Sequence, residues 1–222
     1  MIDNSTTPML RFEEMLILQE GVNSLINPNW RAAKNPWYRA IWVECAELAD
    51  HMGWKWWKKQ NPDAQQIELE LVDIFHFGLS DLLQNGSVET VVEQCNNAYL
   101  EFSNAQKNEK IEKDAAVILV EEFSLDVLKT KRFRLGSFFE LSSRLHLSEL
   151  SLYEKYVGKN VLNRFRQDHG YKNGSYIKNW LGREDNEWLA EISARAEKIP
   201  AKFATEIYER LAGKYAEVTS GH

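Results

Sequence analysis

The sequence predicts an all-α protein, a multi-helix bundle in which two antiparallel helices carry a cluster of acids. Three observations lead there. Apolar residues recur near helical period over most of the chain, and few runs alternate with period two. Proline and glycine, 5 and 11 in 222 residues, punctuate segments rather than fill them. Two carboxylate pairs, Glu44-x-x-Glu47 and Glu70-x-x-Asp73, repeat the three-residue step that puts side chains on one helix face.

Each element follows from local chemistry. After Pro8, Leu10, Met15, Leu18 and Val22 keep helical period over about 9–25. Asn27-Pro28-Asn29 and Asn35-Pro36 bracket a loop, and Pro36 is placed to open a helix over about 37–52. Asn61-Pro62-Asp63 separates it from a helix at about 64–84. Asn85-Gly86 ends that helix, and Ser87 can cap the next, running to about 107. Helical patterns continue over about 111–130, 137–146 and 148–168. A turn-rich stretch at 169–183 holds Gly170, Gly174 and Gly182, and a final helix is expected over about 185–215. With no repeat or low-complexity linker, residues 1–222 read as a single domain.

The hydrophobic fraction of 44% and the charged fraction of 27% are those of a soluble globular protein. A formal net charge of −6 gives no support to nucleic-acid binding. Cys45 and Cys95 have no C-x-x-C or zinc spacing, which fits free thiols in the cytoplasm. The first seven residues are polar, with no export signal, and no run approaches the ~18 apolar residues of a membrane span. Trp54, Trp56 and Trp57 are clustered, which hints at an aromatic-walled pocket.

On a helical wheel Glu44, Glu47 and His51 share one side, opposite Ile41, Cys45, Leu48, Ala49 and Met52. Alone, that is an amphipathic helix with a solvated face. The second helix is apolar almost all round, from Ile67 through Leu83. Such a helix is buried, and buried carboxylates need a partner or a metal. Four acids aimed into one volume call for a compensating cation, and hard oxygen donors suit Mg²⁺ or Mn²⁺. His76 follows Asp73 by three, but a di-iron bundle needs Glu-x-x-His twice, so a core or pocket-wall histidine is the better reading.

Residues 155–183 invert the overall charge: Lys155, Lys159, Arg164, Arg166, Lys172, Lys178 and Arg183 stand against one acid, Asp168. A solvated basic face explains this as well as a phosphate site does. Paired with an acid cluster, it favours a metal–triphosphate site. No P-loop is present, because Gly158-Lys159-Asn160 does not complete one.

Several blocks resemble the all-α dimeric dUTPases, within the all-α nucleotide pyrophosphohydrolases. They are Val43-Glu44-Cys45-Ala46-Glu47-Leu48, Trp54-Lys55-Trp56-Trp57-Lys58 and Glu70 through Phe77. The long run Gly158 through Lys172, then Gly174-Ser175-Tyr176 and Gly182 through Asn186, continue the likeness. The resemblance implies Mg²⁺-dependent hydrolysis of dUTP, and also dUDP, to dUMP by a homodimer. It implies Glu44, Glu47, Glu70 and Asp73 as metal ligands, with Glu47 or Glu44 also activating water. Gln19 and Asn23 would read the uracil edge, and Trp54, His76 and Phe77 would wall the base and sugar pocket. Lys159, Asn163, Arg166, Tyr171 and Lys178 would contact phosphates and sugar, with Lys55 a further candidate. The glycines of the basic segment permit it to close as a lid. A dCTP- or MazG-type pyrophosphohydrolase and a noncatalytic nucleotide-binding protein are the rival readings. Residues 87–147 match no motif.

Overall fold

The computed structural model describes residues 6–105 and 113–219, and it is all-α, with ten α-helices among the described residues. The first five residues of the polar N-terminal stretch lie outside the described residues. So do 106–107 and 111–112, at the facing ends of two expected helices.

The helices are α1 (Thr6–Ile26), α2 (Trp30–Ala33), α3 (Trp37–His51), α4 (Ala64–Leu83), α5 (Val88–Ala105), α6 (Lys113–Thr130) and α7 (Leu135–Arg144). After them come α8 (Glu149–Asp168), α9 (Asp185–Arg195) and α10 (Phe203–Thr219). A two-residue hairpin, β1 (Asn179–Trp180) and β2 (Arg183–Glu184), precedes α9. Backbone contacts divide the chain into two compact units, 1–152 and 153–222.

In the first unit Pro36 and Ser87 stand at the helix starts where the sequence places them, and Asp63 adds a cap. Pro36 stands immediately before α3. Asp63 accepts hydrogen bonds from the backbone N–H groups of Gln65 and Gln66, satisfying donors that the first turn of α4 leaves orphaned. Ser87 Oγ does the same for Thr90 at the start of α5. α3 and α4 form the most extensive helix pair, and they run antiparallel. At one end Asp63 N–H donates to His51 O; at the other Trp37 Nε1 donates to Gln84 Oε1.

The expected burial of α4 holds: Leu71, Val72, Ile74, Phe75, Leu79 and Leu83 are all in the core. α1 packs on α4 and α5, α6 on α3, and α7 on α5 and α6. At their centre Phe75 stacks on Phe138 at 4.9 Å between centroids, with Phe133 and Phe139 edge-on or tilted around them. α4 can approach this cluster because position 78 is glycine: a Cβ there would meet the Phe133 ring at 2.7 Å.

The second unit is organised on Phe165 of α8, whose ring meets Trp180 at 5.7 Å and Tyr215 at 5.5 Å. One expectation is corrected here. The final helix over about 185–215 is two helices, α9 and α10, separated by 196–202. Pro200 has no N–H to donate and disfavours the helical region for the residue before it, while Ala201 adopts φ 65°.

Candidate functional site

The site starts from the pairing of α3 with α4. Because the helices are antiparallel and each acid pair spans one turn, the two acid faces meet near mid-helix. Carboxylate oxygens of Glu44, Glu47 and Glu70 lie within 4.8 Å of one another. Asp73 is one turn beyond Glu70 and acts on the group through charge, raising both Glu44 and Glu70. Glu70 is only 7% exposed, as expected of an acid on a buried helix.

Burial is the largest influence on Glu44, followed by the charge of Asp73 and a hydrogen bond with Glu70. Together they push it up to about 7. Glu70 is also raised, again mainly by burial, while its hydrogen bond with Glu44 and the nearby His51 oppose the shift. His51 Nε2 lies 3.4 Å from Glu70 Oε1. A carboxylate that retains a proton near neutrality to ease its neighbours' repulsion is in surroundings a divalent cation would relieve. Three converging oxygens, one on a buried side chain, match the donor set of a hard cation. The residues present therefore fit a metal.

Beside Glu47 lies a surface cavity of about 390 Å³, bordered by Trp42, Val43, Ala46, Glu47, Asp50, Trp54 and Lys55. The aromatic wall expected from the tryptophan cluster is thus supplied by Trp54, together with Trp42, which the sequence reading missed. Trp56, 88% exposed, and Trp57 do not border it. Lys55 Nζ pairs with Asp50.

Of the expected base-pocket residues, Gln19, Asn23 and His76 meet between α1 and α4, while Trp54 borders the cavity beside Glu47. Gln19 and Asn23, one turn apart on α1, are buried at 6% and 5% exposure. Gln19 Oε1 is 2.9 Å from His76 Nδ1, and Gln19 Nε2 donates to Asn23 Oδ1 at 3.2 Å. Both amide nitrogens donate to Ser80 Oγ, at 2.9 and 3.0 Å. Phe77 stacks on Trp37, with 6.3 Å between centroids. Neither Ser80 nor Trp37 is in the sequence-based set. A lone serine in an apolar helix gives no periodic signal, and only the antiparallel pairing brings Trp37 to Phe77.

The remaining candidates belong to the second unit. Arg166 makes a bidentate pair with buried Asp185, at 2.8 and 2.8 Å, and Tyr176 Oη donates to the same carboxylate at 2.8 Å. Burial alone would raise Asp185, but the hydrogen bonds from Arg166 and Tyr176 hold it below the usual carboxylate range. The Arg166 guanidinium is therefore oriented by a fixed anion, which leaves less of its fork for phosphate. Lys178 pairs with Glu184 at 3.2 Å. Tyr171 and Asn163 are exposed, and Lys159 is half-buried on α8.

A family model described as dUTPase matches residues 11–171, which include both acid pairs and the long 158–171 run. No curated protein matches the chain.

Proposed function

The chain belongs to the dUTPase family, and we propose that it hydrolyses dUTP, and also dUDP, to dUMP with Mg²⁺ held by Glu44, Glu47, Glu70 and Asp73. Membership makes it a dUTP diphosphatase that uses a divalent metal. The choice of Mg²⁺, the dUDP activity and the residue roles are our reading. The observation that carries it is the convergence of Glu44, Glu47 and Glu70 within 4.8 Å on two antiparallel helices.

When bound, Mg²⁺ neutralises charge on the phosphate oxygens and lowers the pKa of the attacking water. Glu47 or Glu44 orients that water and takes its proton. Trp54, His76 and Phe77 enclose base and sugar, while Gln19 and Asn23 read the uracil edge. Lys159, Asn163, Arg166, Tyr171 and Lys178, with Lys55, neutralise and position the phosphates, whose transfer needs in-line geometry more than covalent help. dUTP then yields dUMP and pyrophosphate, and dUDP yields dUMP and phosphate.

No helix among the described residues is long and apolar enough to cross a membrane. A cytoplasmic homodimer acting as one functional domain over 1–222, with no nucleic-acid partner, completes the reading. The test is turnover of dUTP, dUDP, dCTP and dTTP, with Mg²⁺ and in excess EDTA. dUTP and dUDP are expected to be cleaved only with the cation. Undiminished turnover in EDTA, or dCTP cleaved as well as dUTP, overturns it.

A further inference from the structure

We propose that Ser80 is the positioning residue for uracil discrimination: its buried hydroxyl fixes which way the Gln19 and Asn23 amides face and which nitrogen of His76 carries the proton. This rests on the reading that Gln19 and Asn23 recognise uracil.

One hydrogen atom sets the whole arrangement. Ser80 Oγ donates to His76 O, one turn back along α4, at 3.1 Å. A hydroxyl has a single donor, so toward everything else this oxygen only accepts. Gln19 and Asn23 both approach it at hydrogen-bond distance, so both must present their NH₂ groups. With its nitrogen turned to Ser80, Gln19 has its carbonyl oxygen toward His76, 2.9 Å from Nδ1. A carbonyl only accepts, so Nδ1 carries the proton and Nε2 is left as the acceptor. Asn23 Oδ1, in turn, takes the second hydrogen of Gln19 Nε2 at 3.2 Å. Ser80 is fully buried, so water does not compete for these bonds.

Orientation matters because an amide is nearly symmetric in shape and opposite in chemistry at its two ends. Uracil offers two carbonyl acceptors flanking an N–H. Cytosine replaces one acceptor by an amino donor and the N–H by an acceptor. A glutamine free to turn over presents donor and acceptor in either order and so accommodates both bases. Held with its NH₂ on Ser80 and Asn23, Gln19 faces the base with its carbonyl oxygen. That oxygen matches the N–H of uracil and opposes the ring-nitrogen acceptor of cytosine with a like group, a mismatch that sites built on hydrogen bonds reject strongly. Ser80 has no need to touch the base to do this.

The experiment measures kcat/KM for dUTP and dCTP on the same preparation of wild type, Ser80→Ala, Ser80→Thr and Gln19→Ala. A ratio from one preparation is unaffected by the fraction of protein folded. Ser80→Ala should lower the dUTP/dCTP ratio by about ten-fold or more, about what one lost hydrogen bond is worth, with dCTP turnover improving relative to dUTP. Ser80→Thr, which keeps the hydroxyl, should restore most of it. A merely structural serine would lower both substrates alike. An unchanged ratio in Ser80→Ala with a reduced one in Gln19→Ala overturns the role of Ser80 alone. Unchanged ratios in both overturn the uracil reading with it. Nitrogen-15 NMR of His76 in the wild-type protein is independent of any variant: a proton on Nδ1 is expected, and one on Nε2 overturns the proposal.

Discussion

Glu70 combines two properties that seldom coexist, a carboxylate and a place on the buried face of a helix. Glu70→Gln keeps volume and a polar terminus but removes the charge, so the helix should survive while cation binding fails. Altering groups behind a metal ligand commonly costs about 10–100-fold, so losing a ligand should cost about a hundred-fold or more in turnover. Circular dichroism unchanged beside lost activity is the expected result; full activity in the variant would remove Glu70 from the site. Asp185 poses the complementary case, a buried carboxylate already partnered by Arg166 and Tyr176. Its folded pKa is lowered, so its contribution to stability is present above the ordinary carboxylate value and is lost as pH falls through the folded one. Asp185→Asn leaves Arg166 facing a neutral group, which should cost about 3–5 kcal/mol near neutrality. Urea titrations should show that penalty shrinking under acid conditions; a pH-independent difference would mean that the pair does not carry the effect. The acid pairs were legible in the sequence because a three-residue step needs no tertiary knowledge. Asp185 and Ser80 were not, since their partners lie 19 residues and about 60 residues away in the chain.

α4 shows how an element can be correct in outline and still hide its tightest constraint. Gly78 lies mid-helix, where replacement by Ala ordinarily gains about 1 kcal/mol from backbone propensity. Here the new Cβ would lie 2.7 Å from several atoms of the Phe133 ring, itself wedged against Phe75 and Phe138. Overpacking of this kind costs about 1–3 kcal/mol, so Gly78→Ala should be neutral to destabilising despite its helix preference. A lowered melting temperature is expected, and a clear rise would show that Phe133 moves aside freely. Helix boundaries were readable at Pro36, Asp63 and Ser87, where the chain breaks helical periodicity at the same place. The reading failed at Pro200, where helical periodicity was carried across a residue that cannot donate the next hydrogen bond. The hairpin of β1 and β2 was also invisible in the sequence. Two-residue strands have no period to detect, and this pair is held by Trp180, which is fully buried with Nε1 donating to Ile177 O.

At the scale of the molecule, the acid cluster joins the chemistry of the site to the stability of the first unit. Without a cation, α3 and α4 hold Glu44, Glu47 and Glu70 close together, with Asp73 adding to the repulsion. These two helices also form the most extensive pair in that unit, so strain between them bears on its whole core. A ligand that binds the folded state alone stabilises it by mass action, by about 2.7 kcal/mol at a hundred times its dissociation constant. In a chain of this size each kcal/mol moves the melting temperature by roughly 2–4 °C. Saturating Mg²⁺ should therefore raise the melting temperature by about 5–10 °C over EDTA-treated protein. The rise should be largest for probes in the first unit, which holds six of the eight tryptophans and so most of the tryptophan fluorescence. Asp73→Asn removes one of the repelling charges and, on the proposed assignment, one cation ligand with it. It should therefore raise the metal-free melting temperature while lowering the Mg²⁺-bound one, narrowing the gap from both sides. If melting is insensitive to Mg²⁺ across the millimolar range, the acids do not form a preorganised cation site, whatever the enzyme does with its substrate bound.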